Sequence, residues 1–162
     1  MDLSGACDEA GLAEQIDKMV GGGLLGSAQA ELVDLGALAW FFGTDLGVRL
    51  RSGASEVRRE LPFVARVAAE GYERSLVGRE LDLADGILVR GIVDCLLAEA
   101  GGLELIDYKT DRVGREGLAQ RVELYRGQMR VYAEAISGIW SRPVRACWLV
   151  FLSAGHIEPV DV

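Results

Sequence analysis

The stretch LELIDYKT, residues 103–110, does most to define the fold of this sequence. It is a run of apolar residues that ends in charge, and the earlier run GIVDCLL, residues 91–97, has the same character. Apolar runs bounded by glycine or charged residues predict strands. The segment AEAGG, residues 98–102, lies between the two runs and predicts a turn. We therefore expect two strands that pair with each other.

Each of these strands carries an aspartate. Asp94 lies inside an apolar run, where an ionised carboxylate is unfavourable unless a cation or hydrogen bonds compensate it. Asp107 ends the second run and Lys109 follows two residues later, so the period of two of a strand turns both side chains to one side of the sheet. If the strands pair, the two carboxylates converge on one point.

Two converging carboxylates suit Mg²⁺ or Mn²⁺, hard ions that prefer oxygen ligands and keep several waters. Taken alone, an aspartate at a strand end more often only solvates a turn. A lysine beside two carboxylates favours the functional interpretation, because such a group of residues can bind a phosphate and activate a water. Asp94, Asp107 and Lys109 are therefore the candidate site.

The segments before this pair of strands predict helices and one more strand. Apolar residues recur at helical spacing in residues 12–19 and 32–42, which predicts two helices joined by the glycine-rich GGGLLGS, residues 21–27. Ser27 stands where a phosphate-binding loop needs its lysine, so this segment is interpreted as a turn. The segment from Glu60 to Glu70, ELPFVARVAAE, predicts a strand.

After the candidate site, residues 117–137 predict a helix, residues 144–153 a buried strand and residues 156–160 a further strand. This order predicts an α/β fold with a mixed central sheet flanked by helices. We expect a helical N-terminal segment over residues 1–55 and a core over residues 56–162, in a single domain.

Charge and cysteine usage narrow the class of protein. The net charge is −8, but residues 1–48 hold eight acids against the single Lys18, whereas residues 109–130 hold six basic residues against three acids. Basic residues therefore lie near the candidate site, where phosphate binding needs them.

Three widely separated cysteines make no metal motif, and the chain has neither a membrane-length apolar run nor a secretory start, so we expect a cytoplasmic protein without a membrane association. His156 is predicted to lie in a turn.

The segments GIVD, LELIDYKTD and YRGQMRVY resemble the nuclease domain of RecB-like enzymes in the PD-(D/E)XK superfamily, particularly the C-terminal nuclease of AddA-type bacterial helicase–nucleases. The resemblance runs from about Gly11 to the end. It implies a restriction-endonuclease-like fold and a Mg²⁺- or Mn²⁺-dependent deoxyribonuclease. It also implies three partners: DNA, a motor domain in the same longer chain, and a second subunit. The resulting helicase–nuclease would process double-strand breaks for recombinational repair.

The resemblance also assigns roles by position. Asp94, Asp107 and Glu60 would be metal ligands, and Lys109 would position or activate the attacking water. Glu60 falls in RRELPF, which resembles the strand that provides the family's upstream glutamate. Gln128 and Tyr132 would be the family's QxxxY pair. The catalytic residues that it implies are thus Asp94, Asp107, Lys109, Glu60, Gln128 and Tyr132.

The residues of the long helix support this assignment independently. Gln128 and Tyr132 are four residues apart, so they share a helix face with Arg121 and Tyr125. Gln128 offers hydrogen bonds, and tyrosine rings can stack on unpaired bases. The alternative is that the tyrosines only pack the helix onto the sheet, which we favour for Tyr125.

Basic residues of the same helix are candidates for contacts with the phosphate backbone, although exposed arginines often do no more than interact with solvent. These DNA-binding candidates are Arg121, Arg126 and Arg130.

The sequence departs from the family in one respect, because nothing before Glu60 matches the family's upstream histidine in G-T-x-x-H. We therefore expect this chain to be a piece of a longer protein that alone binds metal weakly and cleaves DNA poorly. The alternative function is a nuclease-like domain that binds DNA or a partner protein without cutting. A stand-alone exonuclease with an iron–sulfur cluster is a third interpretation, which the scattered cysteines disfavour.

Overall fold

The computed structural model describes residues 2–53, 56–68 and 86–161. Its N-terminal helices are α1 (Glu9–Gly21), α2 (Ser27–Ala30), α3 (Leu35–Gly43) and α4 (Asp45–Arg51). They are followed by β1 (Glu56–Val67), β2 (Ile87–Glu99), β3 (Gly102–Lys109), α5 (Leu118–Trp140), β4 (Val144–Phe151) and β5 (His156–Val160). Short 3-10 turns at Arg115–Gly117 and Leu152–Ala154 precede α5 and β5.

The N-terminal segment forms four helices, so the prediction of two was wrong. Two of these helices begin at capping side chains. At the start of α3, Asp34 accepts a hydrogen bond from the backbone N–H of Ala37, and at the start of α4, Thr44 accepts one from that of Gly47. Such caps satisfy backbone donors that a helix start leaves free. The two predicted helices correspond to α1 and α3. The short helices α2 and α4 were missed, and α4 begins at the Thr44 cap, beyond the apolar pattern of residues 32–42. The glycine-rich segment is a turn, as predicted.

The five strands form one mixed sheet in the order β1-β2-β3-β4-β5. Neighbouring strands are antiparallel except β3 and β4, which are parallel and are connected through α5. The hairpin of β2 and β3 turns at residues 99–102, and its last pair before the candidate site is Cys95 with Ile106. The end of the first predicted strand, residues 69–70, lies outside the described residues. The predicted α/β fold with helices flanking a mixed sheet is confirmed.

Helices cover the sheet on both faces. The α5 side has a core of residues from the helix and from every strand, including Phe63, Leu96, Leu105, Met129, Ile136, Leu149 and Phe151. The opposite side packs against the N-terminal helices through a second core, which includes Leu12, Phe41, Leu50, Cys95, Leu97, Ile106 and Val150. The central strands β3 and β4 are therefore buried on both faces, which explains their nearly continuous apolar sequences.

The alternation of side chains reverses in β1 at Glu60. Val57 and Phe63 are six positions apart, so regular alternation would place them on the same face of the sheet. Instead, Val57 packs on the N-terminal helices and Phe63 packs on α5. Glu60 itself has a φ of 50°, a left-handed conformation that is unfavourable for a residue with a side chain. β2 reverses beside it, since Val93 faces α5 and Cys95 faces the N-terminal helices. In both strands the alternation of side chains therefore shifts by one residue at the same level of the sheet, where Glu60 lies opposite Asp94.

All three cysteines are free and buried. Cys7 and Cys95 lie in the core against the N-terminal helices, whereas Cys147 lies in the core against α5. Burial raises the pKa of Cys95 to about 11 and that of Cys147 to about 12. Because the sheet separates them, the three thiols cannot share one cluster.

His156 is the first residue of β5, the strand predicted over residues 156–160, so the prediction that places it in the preceding turn was wrong. The turn is formed one step earlier by Leu152–Gly155, and Nε2 of His156 lies 2.9 Å from a carboxylate oxygen of Glu158. Within the ranges that the structure describes, no helix is both long and apolar enough to cross a membrane.

Candidate active site

Asp94 and Asp107 meet where the hairpin of β2 and β3 stops pairing. The last pair of the ladder is Cys95 with Ile106. Asp94 directly precedes Cys95 and Asp107 directly follows Ile106, so the two aspartates lie opposite each other across the antiparallel strands. Oδ2 of Asp94 accepts a hydrogen bond of 2.9 Å from the backbone N–H of Tyr108. The Asp94 carboxylate thus satisfies a donor of β3 at the point where the ladder ends. The structure thus places the two aspartates side by side, and their convergence on one ion stays a prediction.

Asp107 is almost completely buried, with 6% of its surface exposed. Burial raises the pKa of its carboxyl group, and the negative charge of Asp94 adds to this, while Lys109 opposes it. A buried carboxylate beside a second carboxylate is electrostatically unfavourable without a cation. Among the described residues, Oδ2 of Asp107 receives no hydrogen bond apart from its ion pair with Lys109.

Lys109 lies on the same side of β3 as Asp107, as the period of two predicted, and the two form an ion pair. The lysine side chain is only 12% exposed. Its ammonium group also donates to Oε1 of Gln128, at 3.3 Å, and lies over the ring of Tyr125, 3.8 Å from the ring centroid. The site is therefore assembled from the middle of β2, the end of β3 and one face of α5.

Tyr125 does more than the packing predicted for it. Its ring packs near Phe151, at 6.5 Å between centroids, and its hydroxyl donates a hydrogen bond of 2.6 Å to Asp111. That hydrogen bond raises the pKa of the Tyr125 hydroxyl, because it stabilises the protonated form. Sequence reasoning missed Asp111, and no periodic pattern in the loop after β3 would have identified it.

Tyr132 lies one helical turn beyond Gln128, over β1 and β2. Its ring meets that of Phe63 edge to face at 4.9 Å, and its hydroxyl lies so close to Gly91 that a Cβ there would approach it to 2.7 Å. The structure thus places Tyr132 beside the site, where its contacts are those of packing. Its catalytic role stays a prediction.

Glu60 lies opposite Asp94 across β1 and β2, but its side chain is exposed. Over the described residues, no three histidine, cysteine, aspartate or glutamate side chains form a group that could hold a metal ion. Asp94 and Asp107 alone would supply the protein ligands. Two carboxylates, one of them buried and poorly compensated, fit an ion that keeps several waters, as Mg²⁺ does. Glu60 as a ligand stays a prediction.

The three arginines of α5 do not lie together. Arg121 is on the flank of the helix that carries Gln128, and its charge acts on the Tyr125 hydroxyl. Arg126 and Arg130 are roughly half a turn around the helix from Gln128. Arg126 is bonded to Glu123 at 3.0 Å, and Arg130 is exposed. Only Arg121 therefore accompanies the site.

A second buried acid, Glu104, was missed. It lies in the same apolar strand as Asp107 but faces the N-terminal helices, where it receives hydrogen bonds from Arg49, Arg145 and Trp148. Its signal in the sequence, a charge within an apolar run, is the one that identified Asp94. The basic partners distinguish the two acids: Glu104 is fully compensated by arginines, whereas Asp107 has one lysine.

Comparison with known proteins agrees with this geometry. The family model of the PD-(D/E)XK nuclease superfamily matches residues 12–157. The chain is similar to ATP-dependent helicase/nuclease subunits from Geobacillus thermodenitrificans, at 41% identity, and Geobacillus kaustophilus, at 39% identity. A relative of the same name from Desulforudis audaxviator is 38% identical.

Each of these three alignments covers 99% of this chain and 13% of the relative, so the chain spans a small part of their length. The family match extends over α5, most of the N-terminal helices and strands β1 to β4, and it ends within β5. The mixed sheet flanked by helices is consistent with the restriction-endonuclease-like fold. The chain belongs to the PD-(D/E)XK nuclease superfamily.

Proposed function

We propose that this chain hydrolyses phosphodiester bonds of DNA in a metal-dependent reaction. The observation that carries the proposal is the placement of Lys109 beside the facing carboxylates of Asp94 and Asp107, in a chain of nuclease ancestry. Buried acids that only stabilise a fold are fully paired, as Glu104 is. Asp107 is not, and this imbalance is expected where a cation completes the site.

Asp94 and Asp107 would hold Mg²⁺ or Mn²⁺. When bound there, the ion would polarise the phosphate and lower the pKa of a bound water. Asp94 keeps its position through the backbone of Tyr108, so one carboxylate oxygen remains for other partners. Lys109 would place its positive charge next to the phosphate oxygens, where negative charge develops during the reaction. Gln128 orients that lysine through its side-chain oxygen.

Two further residues are proposed to contribute at the edge of the site. Glu60, opposite Asp94, would approach the metal once a substrate is bound, since its backbone is already held in an uncommon conformation of the kind found at functional sites. Tyr132 would support the helix face that carries Gln128 and contact substrate with its exposed edge.

We further propose that the chain works as the nuclease part of a longer, cytoplasmic ATP-dependent helicase–nuclease, with a motor domain in the same polypeptide and a second subunit. The support is the name shared by the relatives and the small share of their length that this chain spans. Such an enzyme would process double-strand breaks for recombinational repair.

The test is cleavage of linear DNA with Mg²⁺ or Mn²⁺ and with chelator, by this chain alone and by the full-length protein whose reading frame contains it. We expect brisk metal-dependent cleavage by the full-length protein and poor cleavage by the chain alone. DNA binding without cleavage in both would favour the non-cutting alternative. Equal, brisk cleavage by both would show that no other segment is needed.

Replacing Gln128 with alanine is expected to lower cleavage about tenfold, because one of the groups that orient Lys109 is lost. The melting temperature should change little, since the glutamine is only partly buried and its hydrogen bond is long. Gln120→Ala, at an exposed position of the same helix, is the matched control and should leave both quantities unchanged. A steep fall in melting temperature for Gln128→Ala would mark the residue as structural.

Arg121→Ala is expected to weaken binding of single-stranded DNA more than Arg130→Ala does, because only Arg121 shares the flank of the site. Loss of one phosphate contact should reduce the slope of log affinity against log salt by about 1. Fluorescence anisotropy in chelator measures both without cleavage. Equal losses for the two variants would show that DNA is not confined to this flank of α5.

A further inference from the structure

The ammonium group of Lys109 is enclosed by groups of different chemistry. Asp107 attracts its charge, Gln128 accepts one hydrogen bond, and the face of the Tyr125 ring lies 3.8 Å from it. A lysine has a flexible stem and a compact charge, so without such groups its ammonium would sample many positions. The ring face carries partial negative charge and attracts a cation. The ring therefore restricts the position of the ammonium group on one side without requiring a carboxylate there.

Tyr125 is itself held at two points. Its hydroxyl donates to Asp111 at 2.6 Å, and Phe151 packs near its ring from the core. Asp111 lies two residues after Lys109, in the segment that leads from β3 to α5. Asp111 thus holds the hydroxyl end of the Tyr125 ring, and the face of that ring restricts the position of the Lys109 ammonium group. A tyrosine that only packed a helix onto the sheet would require neither the hydroxyl contact nor a cation on its face.

We propose that Tyr125 is a positioning residue, which holds the Lys109 ammonium beside Asp107 with its ring face, and that Asp111 fixes the orientation of the ring. The consequence for catalysis rests on the proposed function. The ring supplies a position for the lysine charge without neutralising it, because an aromatic face accepts no proton and is not an anion. The ring thus restricts where the Lys109 ammonium can lie and keeps it directed at the point where a phosphate would bind.

The alternative that the ring only fills space makes a different prediction for substitutions. Tyr125→Phe keeps the aromatic face and loses the contact with Asp111, whereas Tyr125→Leu keeps an apolar side chain and loses the face. If the face positions the lysine, the leucine variant is the damaging one, and Asp111→Ala should resemble Tyr125→Phe. If only volume matters, leucine and phenylalanine should behave alike.

The chain offers a direct spectroscopic test, because Lys18 and Lys109 are its only lysines. NMR of the chain labelled with ¹³C at the lysine ε-carbon should give two methylene signals. The ring current should move the Lys109 protons upfield of those of Lys18, whose side chain is 71% exposed. The upfield shift should persist in Tyr125→Phe and vanish in Tyr125→Leu. Coincident lysine signals in the unmodified chain would overturn the proposal without any variant.

Cleavage by the full-length protein supplies the second readout. Tyr125→Leu is expected to lower kcat about tenfold with little change in KM, since the lysine acts after the substrate is bound. Tyr125→Phe, which keeps the ring face but loses the Asp111 contact, should lower kcat measurably and by less than Tyr125→Leu does. An unchanged kcat in Tyr125→Leu, in a protein that otherwise cleaves DNA, would also overturn the proposal. If the unmodified protein does not cleave DNA but the upfield signal is present, the proposed function fails while the geometry of Lys109 and Tyr125 stands.

Discussion

Asp107→Asn is expected to lower DNA cleavage by on the order of a thousandfold or more, while the free energy of unfolding stays within about 1 kcal/mol of its original value. The large loss of activity follows because asparagine keeps the shape of the side chain but supplies a neutral oxygen where a divalent ion requires a carboxylate. The small change in stability follows because burial already disfavours the charged form of Asp107, as its raised pKa indicates. Removing that charge offsets the loss of the ion pair with Lys109.

Three measurements check this prediction: cleavage of linear DNA, chemical denaturation, and the melting temperature with and without Mn²⁺. An ion that binds only the folded protein raises the melting temperature, so Mn²⁺ should stabilise the original protein and not the variant. Asp17→Asn, at an exposed position of α1, is the matched control and should behave like the original. Full cleavage by Asp107→Asn would refute the assignment of the site.

Glu104→Ala is expected to lower the free energy of unfolding by about 3 kcal/mol, the range measured when one partner of a buried ion pair is removed. The Glu104 side chain is 5% exposed and accepts hydrogen bonds from Arg49 at 2.7 Å and from Trp148 at 2.8 Å. Alanine would leave a partly buried indole N–H without its acceptor and two arginines with one fewer counter-ion. The arginines are more than a third exposed and can rehydrate, which limits the loss.

Chemical denaturation measures this loss, and its dependence on pH tests the cause. Burial would raise the pKa of Glu104, but Arg49 and Trp148 outweigh burial and lower it overall. A carboxyl group with a lowered pKa stabilises the fold above its ordinary pKa of about 4.5, and this contribution disappears as the pH falls through its folded value. The difference in stability between the original and Glu104→Gln should therefore shrink in acid.

The exposed pair of Glu14 and Lys18 provides the control, because both side chains are about 70% exposed and solvent screens their attraction. Glu14→Ala should leave stability unchanged within error. If Glu104→Ala were equally harmless, the cluster around Glu104 would contribute nothing measurable to the stability of the fold.

The candidate site was predictable from local sequence to a considerable extent. Asp107 and Lys109 share a side because side chains alternate along a strand, and Asp94 meets them because a short turn dictates the pairing of β2 and β3. These relations involve neighbours along the chain, so periodicity and turn chemistry contain them. Apolar spacing also found α1 and α3 but missed the short helices α2 and α4, and the start of α4 is marked by the Thr44 cap instead.

The role of Tyr125 was not predictable in this way. Its partners are on β3, the following loop and β4, and no spacing in the sequence states how α5 lies across them. The reversal of side chains at Glu60 likewise depends on packing, since β1 must contact the N-terminal helices with one half and α5 with the other. When the alternation of apolar and polar residues shifts by one position within a strand, sequence periodicity alone does not reveal which side chains share a face.

The amino-acid sequence by itself thus determined the strands, their pairing in the β2–β3 hairpin, the acidic pair at its end and the lysine beside that pair. Only the tertiary structure decided that α5 places Gln128 and Tyr125 on that lysine, and that Glu104 meets two arginines while Asp107, on the opposite face of the same strand, meets one lysine. The physical reason is that alternation and turns act between residues close in the chain. The partner of a buried charge is selected instead by how distant segments pack, which depends on the whole fold.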